Sequence, residues 1–133
     1  MNFLRKFWKA AARKKTIGEL GEAAAAKFLK KNGYRILERN FRSHPHEIDI
    51  IAWNRNEKAL VFVEVKTRNA EALVGGYHAA MNKHKRDCVK KCAAAYLKKT
   101  KFNPVSWRFD IIEAAHNNDG EISAISHFEN ITF

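Results

Sequence analysis

The sequence predicts one α/β domain, in which a mixed β-sheet is flanked by helices. A length of 133 residues fits a single domain. Apolar periodicity switches between the helical and strand types, in the order helix, three strands, helix, strand, with one extra strand. One strand segment, residues 59–67, is nearly all apolar and β-branched, which is typical of a central strand. These three observations indicate an αβββαβ arrangement followed by a fifth strand.

The first helix has clear start and stop signals. Thr16 and Glu19 form a capping box, with Thr16 as N-cap, and apolar residues follow at helical spacing. Gly33 is a C-terminal stop signal, so the helix is predicted to run to about residue 32.

The remaining elements are predicted from apolar runs that lie between turn-forming residues. The predicted strands cover residues 34–41, 47–53, 59–67, 107–113 and 122–128. A second, longer helix is predicted over residues 78–99, after a loop that contains Gly75 and Gly76. This helix connects the central strand to the fourth strand.

The charge is strongly basic and unevenly distributed. The chain has 25 Lys and Arg against 14 Asp and Glu, for a net charge of +11. Residues 1–15 carry a net +6 and residues 83–101 a net +7, while the rest is close to neutral. Two basic segments on a near-neutral body favour a polyanionic partner, most often nucleic acid. The alternative is a cationic surface without such a partner.

Composition also excludes several classes of protein. No apolar run approaches the 20 residues of a membrane span, so no transmembrane segment is expected. Two Cys give no secreted disulfide framework, and the N-terminus lacks a signal-peptide core, so a cytoplasmic protein is expected. Residues 1–15 are predicted to be a basic amphipathic extension of a domain covering residues 16–133. That extension is either a contact for phosphates or a membrane surface, or a frayed tail.

The sharpest chemical signal lies in the central hairpin. If its loop is centred between Asn56 and Glu57, Asp49 lies opposite Glu64 and every apolar residue faces another. The two carboxylates would then have Cβ atoms about 5 Å apart, which is unfavourable unless a cation or proton lies between them. Mg²⁺ is commonly held by one or two carboxylates. A one-residue shift of register would remove this pairing.

Lys66 shares a face with Glu64, because side chains alternate along a strand. Beside a metal, its ammonium could orient a water or stabilise charge on a phosphate. A metal and a lysine together could therefore catalyse phosphodiester hydrolysis. The structural alternative is an ion network of Asp49, Glu64 and Lys66 that caps the sheet.

At these residues the chain resembles a known family. The matching runs are Gly21-Glu22, residues 33–37, 39–42, 47–52 and 61–68, and Arg108-Phe109-Asp110, and the most specific piece is residues 62–68. They occur in the order of the YraN family, uncharacterised bacterial proteins similar to PD-(D/E)xK nucleases and archaeal Holliday junction resolvases. The resemblance covers about residues 16–133.

The resemblance implies a restriction-endonuclease-like core and a set of site residues. Asp49 and Glu64 are implied as ligands of Mg²⁺ or Mn²⁺, Lys66 as the catalytic lysine, and Glu22 as the helix acid that completes the site. Glu22 also has a plain alternative as a solvated helix residue. A resolvase role would favour a twofold homodimer.

One position departs from the family pattern. His46 stands where the family usually has Gly, which would let the backbone turn freely. His46 could narrow the site, or with His44 it could add a ligand. With Asp49 the two histidines raise a zinc alternative, although no further Cys or His completes such a site at the usual spacing. Glu47 could share the face of Asp49, or it could be a surface charge at the end of the hairpin.

The second helix carries two further patterns. His84, Cys88 and Cys92 recur every four residues, which favours a face packed on the sheet over a metal site. Candidate phosphate contacts are Lys83, Lys85, Arg86, Lys90, Lys91 and, after the central strand, Arg68. Trp8 and Trp53 could stack on bases, but packing is favoured for both.

The prediction from the sequence is a Mg²⁺-dependent nuclease-like protein acting on DNA, branched or single-stranded. The first alternative is a nucleic-acid-binding protein that keeps the fold without hydrolysis. The second is a membrane-surface adaptor that uses residues 1–15.

Overall fold

The described part of the chain forms a sheet with a helix on each face. The computed structural model describes residues 14–71 and 82–131. Its elements are α1 (Ile17–Lys31), β1 (Tyr34–Ser43), β2 (His46–Asn54), β3 (Ala59–Asn69), α2 (Lys83–Lys99), β4 (Ser106–His116) and β5 (Ile122–Phe128). The predicted α/β class, the single domain and the αβββαβ order with an extra strand are confirmed. No helix within those residues is long and apolar enough to cross a membrane.

The five strands lie in the order β1-β2-β3-β4-β5. Strands β3 and β4 are parallel, and the other neighbouring pairs are antiparallel. Helix α2 makes the crossover that parallel neighbours require. The sheet is therefore mixed, with β3 at its centre, as its apolar sequence predicts.

The predicted element ends are close to the observed ones. The Thr16 side chain accepts a hydrogen bond from the backbone N–H of Glu19 at 3.1 Å, so the predicted N-cap is confirmed. Gly33 has φ +86°, a left-handed conformation that ends the helix without strain. Strands β1, β3 and β4 run two or three residues past their predicted ends. The predicted basic extension lies outside the described residues except for Lys14 and Lys15, as does the start of the predicted second helix.

Two apolar clusters hold the layers together, one on each face of the sheet. The α1 side buries Ala25, Ala26, Leu29, Tyr34, Ile50, Ala52, Val61, Val63, Val65 and Ile112. The α2 side buries Ile48, Ile51, Leu60, Phe62, Val89, Cys92, Ala93, Tyr96, Phe109 and Ile111. The residues of β3 from Leu60 to Val63 alternate strictly between the clusters, as expected for a strand covered on both faces.

Helix α1 approaches the end of β3 closely at Gly21. A Cβ at this position would lie 2.0 Å from Oγ1 of Thr67, a distance that no side chain could keep without moving its neighbour. Glycine therefore allows the helix to pack directly on β3. The close approach brings the next residue, Glu22, to the end of the sheet where the predicted site residues lie.

A buried ion cluster lies on the α1 face, around Asp110. This residue is fully buried, and Arg108 donates to both of its oxygens, at 3.0 and 3.1 Å. His127 on β5 lies 2.7 Å from the same carboxylate, and the backbone N–H of Asn130 donates to it at 2.9 Å. Burial alone would raise the pKa of Asp110, but these hydrogen bonds outweigh it and the pKa is lowered. The cluster joins β4, β5 and the C-terminal segment.

Candidate metal and phosphate site

The predicted site residues meet at a fork between two central strands. Strands β2 and β3 pair from Asn54–Ala59 to Ile50–Val63, which is the predicted register. Their ladder ends there, although β2 continues beside β1 back to His46 and β3 continues beside β4 as far as Asn69. Asp49 and Glu64, the next residues on either side, therefore lie where the strands diverge rather than as a ladder pair.

Strand β2 changes face at this point. Ile48 packs in the cluster under α2 and Ile50 in the cluster under α1, although regular alternation would put both on one face. Across the β1 ladder, Asn40 lies between the pairs Arg39–Ile50 and Phe41–Ile48 and has φ +53°, which Asn tolerates better than most residues. The alternation of β2 therefore breaks at Asp49, opposite the irregular position of β1.

The side chain of Asp49 connects β2 to β3 at the point where the two strands diverge. Its Oδ2 accepts a hydrogen bond from the backbone N–H of Val65 at 2.8 Å, in place of a ladder bond. Burial, followed by the nearby charge of Glu64, raises the pKa of Asp49 to about 7. Glu64 therefore contributes to this shift, although the two residues are not the ladder pair that the sequence predicts.

Glu64 is the more buried of the two carboxylates, at 5% exposure. It lies on the α2 side of β3, where Lys85 Nζ is 2.8 Å and Lys66 Nζ is 3.6 Å from its Oε1. A buried carboxylate needs such partners to offset its lost hydration. Lys66 is about one-third exposed, so its ammonium also reaches solvent at the mouth of the fork.

Glu22 approaches the fork from helix α1. Burial raises the pKa of Glu22, Arg39 partly offsets this, and the charges of Glu47 and Glu64 raise it further. The Arg39 guanidinium is 4.0 Å from the Glu22 carboxylate, at the limit of an ion pair. Glu22 is therefore half-buried and within electrostatic reach of Glu64.

Lys85 is the site residue that the sequence did not separate from the other lysines. It lies in the first turn of α2, and Cys88 and Cys92, three and seven residues later, are buried against the sheet. This spacing puts Lys85 on the core-facing stripe of the helix, a signal that the sequence contains. Burial alone would lower its pKa, but the hydrogen bond and charge of Glu64 raise it.

The other predicted phosphate contacts lie on α2 and near the end of β3. Lys83, Lys90 and Lys91 are exposed on α2, and Arg86 is half-buried. Arg68 is half-buried near the end of β3, with its Nε 3.8 Å from a Glu113 oxygen. Their role in binding nucleic acid stays a prediction.

His46 is the first residue of β2 and lies opposite Ser43. Its backbone is not left-handed, so a histidine in place of the glycine usual in the family introduces no backbone strain. His46, Glu47, His84, Lys85 and Cys88 help to line an open depression beside the fork. Glu47 is also 3.5 Å from Arg42 and is 41% exposed, which fits the alternative of a surface charge.

The helix face containing the two cysteines packs as predicted. Cys92 and Tyr96 are buried in the α2-side cluster, and Cys88 Sγ lies 3.6 Å from Nε2 of the exposed His84. Trp53 packs against Phe102 at 4.9 Å between ring centroids, so the favoured packing role is observed for this tryptophan. Trp8 lies outside the described residues.

The donor set at the fork fits a hard divalent cation. Asp49 and Glu64 offer carboxylate oxygens, the ligands that Mg²⁺ and Mn²⁺ prefer. Within the described residues, one group of three His, Cys, Asp or Glu has ligand atoms within 4.8 Å of one another, namely Asp110, His127 and Glu129. The zinc site suggested for His44, His46 and Asp49 is therefore not formed. Arg108 already neutralises Asp110, which leaves that trio poorly suited to a cation.

We expect Asp49→Asn to stabilise the metal-free protein at alkaline pH. Since the folded pKa of Asp49 lies above its unfolded value of 3.8, its contribution to stability is complete below pH 4 and is lost as pH rises through about 7. In EDTA at pH 8, the variant should gain about 1–3 kcal/mol in free energy of unfolding, because its amide oxygen still accepts from Val65.

The measurement is urea unfolding from pH 4 to pH 8, with Asp87→Asn on the exposed side of α2 as the matched control. The wild-type and Asp49→Asn curves should converge near pH 4. Parallel curves over the whole range would contradict the pKa shift of Asp49.

The fold defines a single-domain α/β protein with a five-stranded mixed sheet, which is consistent with a nuclease-like core, and comparison with known sequences gives its family. The chain belongs to the uncharacterised protein family UPF0102, whose family model matches residues 21–114. It is 43% identical over 114 residues to a UPF0102 protein of Trichlorobacter lovleyi, which covers 86% of this chain and 87% of that protein. It is 45% identical over 104 residues to one from Clostridium botulinum, covering 77% and 82%. The predicted YraN-family membership is confirmed.

Proposed function

We propose that this chain is a Mg²⁺-dependent nuclease that hydrolyses phosphodiester bonds in DNA. The observation that carries the proposal is the fork, where the Asp49 carboxylate accepts from the Val65 N–H at 2.8 Å and so lies beside the buried Glu64, the residue before Val65. Two neighbouring carboxylates are unfavourable unless cations lie beside them, and the ammonium groups of Lys85 and Lys66 contact Glu64. The likeness of residues 61–68 to PD-(D/E)xK nucleases supports DNA as the substrate.

Asp49 and Glu64 would hold the metal, with Glu22 at its outer side. Mg²⁺ or Mn²⁺ bound there would polarise a phosphate oxygen and lower the pKa of an attacking water. The backbone N–H of Val65 fixes the Asp49 carboxylate, so a cation would meet a preorganised ligand.

Lys66 would act on the phosphate or the attacking water. Its side chain extends from Glu64 towards solvent, and an ammonium there can donate hydrogen bonds to phosphate oxygens. The exposed Lys83, Lys90 and Lys91 would contact neighbouring phosphates. For a branched substrate, a twofold homodimer would match the symmetry of the junction.

The test is cleavage of four-way junction, flap, single-stranded and linear duplex DNA by the purified protein with Mg²⁺ or Mn²⁺. We expect Glu64→Gln, purified from the same host, to lose at least about 100-fold in rate on any substrate that wild type cleaves. Wild-type cleavage no greater than that of Glu64→Gln on every substrate would contradict the proposal.

A non-hydrolytic nucleic-acid-binding function is the second candidate, and the net charge of +11 favours it. Binding without cleavage would identify this function. In that case, log affinity for duplex DNA should fall with log salt by about 0.9 for each phosphate neutralised.

A further inference from the structure

We infer that Lys85 is an exchangeable counter-ion of Glu64, which competes with the divalent cation and is released to a DNA phosphate when that cation binds. The inference rests on the proposed function, and it gives Lys85 a role beyond a general phosphate contact. It would make metal loading depend on the presence of substrate.

Geometry separates Lys85 from the other cations near the fork. Its Nζ is 2.8 Å from Glu64 Oε1, within hydrogen-bond distance, whereas Lys66 Nζ is 3.6 Å away and beyond it. Lys85 therefore makes the stronger contact, and it takes up acceptor capacity of the Glu64 carboxylate that a cation could otherwise use. A metal ligand that is bonded to an ammonium cannot offer the same lone pair to a metal.

Glu64 is held more firmly than Lys85, which explains why the lysine ammonium can move away while the carboxylate stays in place. Glu64 is fixed on the central strand with its side chain 7% exposed, while Lys85 is 30% exposed on the first turn of α2. The backbone of this turn is held by Asn82, whose side chain accepts from the Lys85 N–H at 2.8 Å. Only the flexible four-carbon stem of the lysine has to move for its ammonium to leave Glu64.

A DNA phosphate is the suitable acceptor for the released ammonium. Lys85 also borders the open depression beside the fork. In sequence, it lies between the exposed Lys83 and the half-buried Arg86. A phosphate bound there would draw Lys85 from Glu64 and so favour metal binding, while the metal would free Lys85 for the phosphate. By linkage, each ligand must strengthen the binding of the other by the same factor.

The first arm of the test measures Mn²⁺ affinity by electron paramagnetic resonance titration without DNA. We expect Lys85→Met to bind Mn²⁺ about tenfold more tightly than wild type, because removal of the competing charge-assisted hydrogen bond leaves Glu64 free. Lys98→Met, which changes an exposed lysine on the same helix outside the predicted phosphate contacts, is the matched control and should change little. Equal or weaker Mn²⁺ binding by Lys85→Met would overturn the inference.

The second arm repeats the titration with a phosphorothioate duplex that resists hydrolysis. DNA should tighten Mn²⁺ binding to wild type by a larger factor than to Lys85→Met, since any direct contact between metal and phosphate is present in both. An equal factor in the two proteins would overturn the exchange. If neither wild type nor Lys85→Met binds Mn²⁺ while both are folded, the proposed metal site fails as well, which distinguishes that failure from the failure of the exchange alone.

Discussion

Replacement of Lys66 by Met is expected to reduce Mg²⁺-dependent DNA cleavage by about 10²–10⁴-fold, with little change in DNA or Mn²⁺ binding. The variant keeps Asp49 and Glu64, and Lys85 still pairs with the Glu64 carboxylate at 2.8 Å. Methionine also preserves the aliphatic stem of the lysine. The loss should therefore fall on the interaction with phosphate or water in the transition state.

The measurement is a single-turnover cleavage rate, taken together with DNA and Mn²⁺ affinities. Lys27→Met, which changes an exposed lysine of α1, controls for the loss of one positive charge. If Lys66 only belongs to an ion network, the variant should lose stability and cleave at the wild-type rate wherever it remains folded. That outcome would remove Lys66 from the proposed catalytic residues.

Replacement of Asp110 by Ala is expected to lower the free energy of unfolding by about 3–5 kcal/mol. The substitution would remove four hydrogen bonds and leave Arg108, whose side chain is only 9% exposed, without its buried partner. Because the folded pKa of Asp110 is lowered, its stabilisation is present above its unfolded pKa of 3.8 and is lost as pH falls through the folded value.

Urea unfolding at pH 7 measures the effect of Asp110→Ala, and Asp110→Asn gives a milder second variant in case the first does not fold. Glu129→Ala is the matched control, because this carboxylate touches the same cluster but is 55% exposed and should contribute less than about 1 kcal/mol. A loss in Asp110→Ala no larger than in Glu129→Ala would show that the cluster does not hold β4, β5 and the C-terminal segment together.

Local sequence signals predicted most of the fold. Thr16 and Glu19 marked the start of α1, and the loop at Asn56 and Glu57 set the register that places Ile50 opposite Val63. The apolar run of β3 indicated a central strand. These signals succeed because capping, turn length and the facing of apolar residues each depend on residues close in sequence.

The fork was beyond such reasoning. The sequence predicted Asp49 as a ladder partner of Glu64, whereas its carboxylate instead accepts from the Val65 backbone after the ladder has ended. The divergence depends on the change of face between Ile48 and Ile50 and on the left-handed Asn40 across the neighbouring ladder. These features arise from tertiary packing, and no local sequence pattern predicts them.

Two sets of side-chain contacts also needed the structure. Lys85 stands among similar lysines in the sequence; its spacing to Cys88 and Cys92 places it on the core-facing side of the helix, but only the structure shows that it reaches Glu64. Arg108 and Asp110 belong to a run that resembles the family, but the sequence assigned them no role. Their contacts lie on the α1 face and bring together β4, β5 and the C-terminal segment, which lie apart in sequence.

A crystal soaked in Mn²⁺, with diffraction recorded at the manganese absorption edge, tests the proposed site most directly. The expected result is one anomalous peak at the fork, bonded to carboxylate oxygens of both Asp49 and Glu64. The Lys85 ammonium should also be displaced from Glu64 Oε1. A crystal with no peak at the fork, or with a peak only at Asp110, His127 and Glu129, would contradict a metal-dependent site between β2 and β3.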